Sequence, residues 1–192
     1  MNRPMYLGLI HHPIKDKRGD LITTSVTNMD IHDIARTART FGFKGYFIVT
    51  PIEKQHKLVS TILDYWNTDS ANEYNPDRSS ALSFIKLENT VENAIDKIKE
   101  AEGESPLVCV TGANFEESDG NEAALRSKLE LDNKPLFLLF GTGWGLHASL
   151  LEKADFMLNP IHGTAYDGYN HLSVRSAVAI YCDRIGSIAS ES

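Results

Sequence analysis

The sequence predicts an α/β fold, a mainly parallel sheet flanked by helices. Short apolar runs of strand length alternate along the chain with longer segments whose apolar residues recur at helical spacing. Runs such as 46–49 and 136–140 are apolar at successive positions, the pattern of buried strands covered on both faces. Strands separated by helices call for crossover connections, which make neighbours parallel.

Residues 6–10 read as a buried strand, Gly19-Asp20 as a turn, and 21–26 as a β-branched extended run. Ile31, Ile34, Ala35, Ala38 and Phe41 place a helix over 30–41 that stops near Gly42. Residues 46–49 form a strand closed by Thr50-Pro51, and Leu58, Val59, Ile62, Leu63 and Trp66 mark the next helix. Asn75-Pro76-Asp77 opens a short helix or turn before a strand at 84–87. Val91, Ala94, Ile95 and Ile98 mark a helix, 107–110 a strand, and 123–131 a helix. A strand at 136–140, a helix at 146–153 and a short strand at 155–158 follow. The last helix spans 173–185, with Val174, Val178, Tyr181 and Ile185 on one face. The acidic stretch 113–121 is the best candidate for a mobile loop. With no repeat or linker, residues 1–192 are expected to form a single domain.

The 192 residues are 42% hydrophobic and 23% charged, enough to bury a core without staples. No run reaches about 18 apolar residues, so no transmembrane helix and no membrane partner are expected. Residues 6–10 end at His11-His12, which is not a secretory signal pattern. Cys109 and Cys182 sit in apolar surroundings and read as buried thiols of a cytoplasmic protein. The net charge of −7 argues against nucleic acid, which usually meets a basic footprint. The distribution is uneven, however. Acidic residues gather at 100–104, 116–119 and 130–132, and basic ones at Lys15/Lys17/Arg18, Arg36/Arg39/Lys44 and Arg78. A local basic face on an acidic protein is therefore expected.

Common catalytic signatures are absent. Residues 141–146 (GTGWGL) place a leucine where a dinucleotide loop has its third glycine, and they lie late in the chain. There is no phosphate-loop motif and no G-x-S-x-G elbow. The seven histidines make no tight ligand spacing, so no metal site is expected. His11-His12, at a strand end, read as hydrogen-bonded edge residues rather than ligands. Three loops stand out instead. The first is Phe140-Gly141-Thr142-Gly143-Trp144-Gly145 and the second Asn159-Pro160-Ile161-His162-Gly163. The third is Tyr169-Asn170-His171-Leu172-Ser173, with Ser173 placed to cap the last helix. Glycines let a backbone approach a ligand closely, and in parallel sheets ligands bind beyond the carboxyl ends of strands.

These segments resemble the cofactor loops of the SPOUT superfamily of RNA methyltransferases. The whole chain is similar to its bacterial subfamily of SAM-dependent RNA methyltransferases. The similarity is carried by residues 21–51 (LITTSVTNMDIHDIARTARTFGFKGYFIVTP), 74–78 (YNPDR), 138–146 (LLFGTGWGL) and 169–180 (YNHLSVRSAVAI). It implies a SPOUT-like fold with a C-terminal trefoil knot, which chain-threading rules alone exclude. It also implies a homodimer sharing its active site across the interface, S-adenosyl-L-methionine (SAM) as cofactor, and tRNA or rRNA as substrate. The resemblance gives cofactor roles to Phe140, Gly141, Thr142, Gly143, Pro160, Ile161, Gly163, His171, Leu172 and Ser173. Thr111 and Gly112 are secondary candidates for that role. The ribose-methylating branch has an Asn six residues before an Arg-Thr pair. Arg36-Thr37 matches the pair, but Asp30 stands in the place of that Asn. His171 likewise replaces an Asn two residues before Ser173. The acceptor, ribose 2′-oxygen or guanine N1, stays open. A non-catalytic knotted protein that holds cofactor or RNA is the alternative.

In methyl transfer from SAM the leaving thioether is neutral, so an enzyme must chiefly align donor and acceptor and relieve the acceptor of its proton. His32, Arg36 and Arg39 share one helical stripe opposite Ile31, Ile34 and Ala38. Arg36 is the first catalytic candidate. Arginine is a poor proton acceptor at neutral pH, so its role is positioning or charge stabilisation. His32, Asp30, Asp33 and Asp167 are candidates for the base, Asp167 lying beside the expected cofactor loops. Arg39 and Arg78 are candidates for RNA contact. Arg175 is a candidate for the cofactor carboxylate or, preferentially, a subunit interface.

Overall fold

The computed structural model describes residues 3–190. In chain order the elements are β1 (Met5–Ile10), β2 (Ile14–Lys15), β3 (Leu21–Ile22), α1 (Asn28–Thr40), β4 (Gly45–Val49), α2 (Glu53–Trp66), α3 (Asp69–Tyr74) and α4 (Pro76–Leu82). There follow β5 (Ile85–Glu88), α5 (Val91–Glu102), β6 (Leu107–Thr111), α6 (Glu122–Asp132), β7 (Leu136–Gly141), α7 (Ala148–Leu151), β8 (Phe156–Met157) and α8 (Val174–Ser190). Six strands form one parallel sheet in the order β5-β4-β1-β7-β6-β8, and β2 and β3 form a small antiparallel hairpin. Among the described residues no helix is long and apolar enough to cross a membrane.

Both faces of the sheet are covered, which is why its strands are apolar at successive positions. Leu7, Leu9, Tyr46, Ile48, Cys109, Leu138 and Phe140 face α1, α2, α4, α6 and α8. Tyr6, Ile10, Phe47, Val49, Val110 and Leu139 face α5, α7 and Ile14 of the hairpin. The two cysteines are buried and free. Burial pushes the Cys182 thiol up to about 12 and raises that of Cys109 further.

Three expectations from the sequence change. The extended run 21–26 pairs only at Leu21–Ile22, because Thr24 N–H bonds the His11 carbonyl (2.9 Å) and Val26 N–H bonds Gln55 (2.9 Å). The helix expected over 146–153 is only Ala148–Leu151. Leu146 is held in a bridge to Ile14 and His147 N–H bonds the Pro13 carbonyl (3.2 Å), so the helix starts only after His147. The stretch 113–121 is anchored in its second half. The Asp119 backbone and carboxylate both bond Met157, and Gly120 bridges Leu158. Helix α3, which the apolar spacing does not mark, begins at a Thr68 cap and buries only Ala71.

Gly8 lies at the middle of β1. A Cβ there would stand 2.7 Å from Leu139 Cδ2 and 3.0 Å from the Phe137 ring. We expect Gly8→Val to lower stability by about 1–3 kcal/mol, read as a lower urea midpoint with unchanged slope.

Candidate cofactor cradle and the α1–α8 junction

Strand β1 is the topological switch of the sheet. From it the chain winds outward through β4 and β5, then returns to build β7, β6 and β8 on the other side. In doubly wound sheets the ligand crevice opens at such a point, beyond the carboxyl ends of the strands. Here those ends are Ile10-His11 and Gly141-Thr142.

A partly buried hydrogen-bond chain joins them. Thr142 Oγ1 donates to the Ile10 carbonyl (3.0 Å), so its oxygen must accept from Thr24 Oγ1. The Thr24 proton is then engaged, so His11 donates to it from Nδ1 (2.9 Å). His11 is therefore the Nδ1–H tautomer, leaving Nε2 as a buried lone pair with no partner. Burial lowers its pKa to about 4, opposed by the nearby Asp30 charge, so it stays neutral near pH 7. Gln55 fixes the Thr24 strand further, donating to the Thr24 carbonyl (3.1 Å).

The first loop, 140–145, turns sharply. A Cβ on Gly141 would stand 2.8 Å from the Leu146 nitrogen, and Gly143 and Gly145 have φ of +56° and +104°, so each position requires glycine. Its root and that of the second loop meet at Tyr181 of α8. The Tyr181 ring packs on Phe140 (centroids 5.9 Å) and its hydroxyl donates to the Asn159 carbonyl (2.8 Å). Burial pushes that phenol up to about 12, so it remains a donor. Asn170 then braces the second loop to the third, accepting from Gly163 N–H (2.9 Å) and donating to the Ile161 carbonyl (3.0 Å). Ser173 caps α8, as expected, by accepting Ser176 N–H (3.2 Å). Residues 162–173 are otherwise exposed, including His171 and Leu172, while Pro160 and Ile161 are half-buried. Thr111, by contrast, is buried and bonds the Leu139 carbonyl (2.9 Å), and Gly112 packs against Phe115. The structure thus joins the three loops and leaves Thr111 buried at the carboxyl end of β6, between β7 and β8.

Helix α1 meets this cradle through one ion-pair cluster. Arg175, two residues past Ser173, donates to the buried Asp30 carboxylate (2.8 Å) and approaches Asp33 (3.5 Å). Asp30 also accepts from Thr27 Oγ1 (2.6 Å). Asp33 in turn stands 4.0 Å from Arg36, which is exposed. Asp30 is thereby occupied, and Arg175 has partners within its own chain.

The other two residues of the α1 stripe turn to α2 and α4. His32 packs edge-on to Trp66 (5.9 Å), and burial, aided by Arg78, lowers its pKa. Arg39 lies over Phe84 (5.3 Å) and near Ser80 (3.4 Å), and Arg78 over Trp66 (5.2 Å). Asp167 is exposed between the second and third loops, accepting Tyr169 N–H (3.1 Å) in a local turn. Thr24, Asn170 and Tyr181 were not foreseeable as site residues. Thr24 and Tyr181 act through partners distant in sequence, whereas Asn170, two residues past the Gly168 turn, lay inside a marked loop and bonds residues 7 and 9 positions away.

Two outcomes follow from this geometry. His11 has a folded pKa below its unfolded value of 6.5, so the unfolded chain binds the extra proton first. Its contribution is intact above pH 6.5 and is lost as pH falls, by about 3 kcal/mol at pH 4. His11→Asn, which keeps a donor toward Thr24, should flatten that part of the stability–pH curve measured by urea unfolding. Arg175→Ala should cost about 3–5 kcal/mol by leaving Asp30 buried and unpaired, and an Asp30→Asn/Arg175→Met double variant should recover most of it.

Residues 4–187 match the model of a family described as SAM-dependent RNA methyltransferase. The chain is 43% identical over 183 residues to a tRNA (guanine-N(1)-)-methyltransferase of Oleidesulfovibrio alaskensis, covering 95% of this chain and 42% of that protein. It therefore spans less than half the length of that relative. It is 35% identical over 187 residues to an uncharacterized protein of Aquifex aeolicus, covering 97% and 90%. The fold is shared with the SpoU methyltransferase AviRb from Streptomyces viridochromogenes, solved in complex with AdoMet. The TM-score is 0.56 at 15% identity, over 100% of this chain and 59% of that one. A parallel α/β sheet, three braced loops at its switch point and a match over nearly the whole length agree: the chain belongs to the SAM-dependent RNA methyltransferase family.

Proposed function

We propose that this protein transfers the methyl group of SAM to RNA, with tRNA as the substrate class. The observation that carries this reading is the brace of Asn170 across the second and third loops. With Tyr181 joining the roots of the first and second loops, it makes one cradle from three segments that are separate in sequence. The relative from O. alaskensis supports tRNA by its name, whose stated acceptor is guanine N1. The ribose 2′-oxygen is the second candidate, supported by Arg36-Thr37.

SAM supplies an electrophilic methyl group on a leaving thioether. The residues that would hold it are Phe140, Gly141, Thr142 and Gly143 in the first loop, Pro160, Ile161 and Gly163 in the second, and His171, Leu172 and Ser173 in the third. Thr111 and Gly112 support the floor from β6. Arg36 is the group we assign to position the acceptor and stabilise charge on it. Its exposure, and its tether through Asp33 and Arg175 to the third loop, support that role. Asp167 is the proton acceptor we favour, since Asp30 is occupied by Arg175 and His32 is packed on Trp66.

We also infer the trefoil knot and the homodimer. Strand β8 is flanked by β6 on one side and by Gly120 on the other. The chain nevertheless returns inward to α8, which packs on α1 and over β7. That path supports threading through the loop after β6. The exposed Tyr169 and Leu172 within the third loop fit a second subunit, and the proposed site of action is the cytoplasm.

Titration calorimetry should show S-adenosylhomocysteine binding, weakened at least about tenfold by Asn170→Ala through loss of two hydrogen bonds to the cradle. Arg36→Ala should lower tritiated methyl transfer to unmodified tRNA by about a hundredfold while leaving S-adenosylhomocysteine affinity intact. Absence of cofactor binding sinks the reading, and binding without transfer to any cellular RNA favours a non-catalytic role. Mass spectrometry of nucleosides with and without the gene identifies the acceptor atom.

A further inference from the structure

Trp144 belongs to the first loop but is not among the residues assigned to hold SAM, and the fold exposes it. It is 55% exposed at the tip of the first loop, between Gly143 and Gly145, whose left-handed backbones turn it outward. That tip is held rigidly to the β2–β3 hairpin. Lys15 N–H bonds the Gly145 carbonyl (3.0 Å), and Ile14 bridges Leu146. Lys17 Nζ stands 6.0 Å from the centre of the Trp144 ring. The Asp16 carboxylate is taken up by the hairpin turn, accepting the N–H groups of Arg18 (2.7 Å) and Asp20 (2.9 Å). Among the described residues, Lys15, Lys17 and Arg18 have no salt-bridge partner.

An exposed indole with Lys17 beside it, on a hairpin that also carries Lys15 and Arg18, stands out on a chain of net charge −7. It fits a partner that is both anionic and aromatic. Unpaired RNA has that chemistry: bases stack on an aromatic face while phosphates meet lysine and arginine. We propose that the β2–β3 hairpin and Trp144 form the RNA grip of this protein. Trp144 stacks on an unpaired base flanking the methylated nucleotide, and Lys17 and Arg18 hold the adjoining phosphates. The proposal rests on RNA being the substrate. It adds the surface that selects a single-stranded segment and sets it against the first loop.

The test uses the full chain saturated with S-adenosylhomocysteine, and bulk tRNA as the probe. Trp66→Phe leaves Trp144 as the sole tryptophan of the two in the sequence. In that protein, tRNA should quench the fluorescence saturably, at the same midpoint as fluorescence anisotropy reports. Trp144→Ala should weaken tRNA binding about tenfold, as expected for loss of one stacked base. Lys17→Ala/Arg18→Ala should reduce the slope of log affinity against log salt by about 0.7 for each phosphate no longer held. S-adenosylhomocysteine affinity should be unchanged in both variants. If both bind tRNA as tightly and with the same salt slope as the parent, the grip is overturned and the methyltransferase reading stands. If the parent itself binds no RNA, both fall. If Trp144→Ala instead lowers the sedimenting mass, the surface is a subunit contact and the proposal is wrong.

Discussion

Strand β7 lies against β1 in parallel from Met5–Leu136 to Ile10–Gly141, and the cradle depends on that register. A slip of one residue would exchange the two faces of β7, turning Leu138 and Phe140 away from α1 and α8. The hydrogen bond from Thr142 to Ile10 would break with it, and so would the chain through Thr24 to His11. Burial of apolar side chains on both faces therefore sets, at one stroke, where the first loop leaves the sheet and which atoms receive it. Gly8 is part of the same fit, because Phe137 and Leu139 pack over the space a side chain would need.

Helix α8 then gathers what the sheet leaves apart. Its apolar side packs Val178, Tyr181 and Cys182 into the core. Tyr181 fixes the roots of two loops, Ser173 closes the N-terminal end of the helix, and Arg175 fastens that end to α1. The ion pair with Asp30 replaces water around a buried carboxylate, and so adds more to the specificity of the junction than to net stability. Its geometric effect is to keep Arg36 within a turn of the third loop's exit, although 139 positions separate Arg36 from Arg175.

The parallel α/β class and the central strands were legible because a doubly covered strand must be apolar at every position. The first loop was legible because only glycine tolerates its turns at 141, 143 and 145; the second and third were legible through the resemblance their residues carry. Helix α3 was not, since it buries one alanine and has no stripe to read. Helix α7 was overextended because Leu146 and Leu150 keep helical spacing, while Leu146 serves the bridge to Ile14. Asp30 stood out in the sequence as a departure from an expected Asn and as one of four candidate bases. Its meaning, a counter-charge for Arg175, comes from a contact across 145 residues. The stripe of His32, Arg36 and Arg39 has the geometry its spacing implies. The packing of α2 and α4 against it draws His32 partly out of solvent against Trp66 and lays the still exposed Arg39 over Phe84.

The placement of β1 between β4 and β7 also bears on how the chain is made. The strand that anchors the whole sheet is synthesised first, and the partner for one of its edges ends at Gly141. Until then, a growing chain carries an apolar strand with half its backbone groups unpaired, a template for association with other chains. Contacts of such long range close slowly, because the intervening loop must surrender its freedom first. The nascent sheet is thus most exposed to aggregation between the synthesis of β1 and that of β7, and holdase chaperones acting on the segment between them would have their largest effect there.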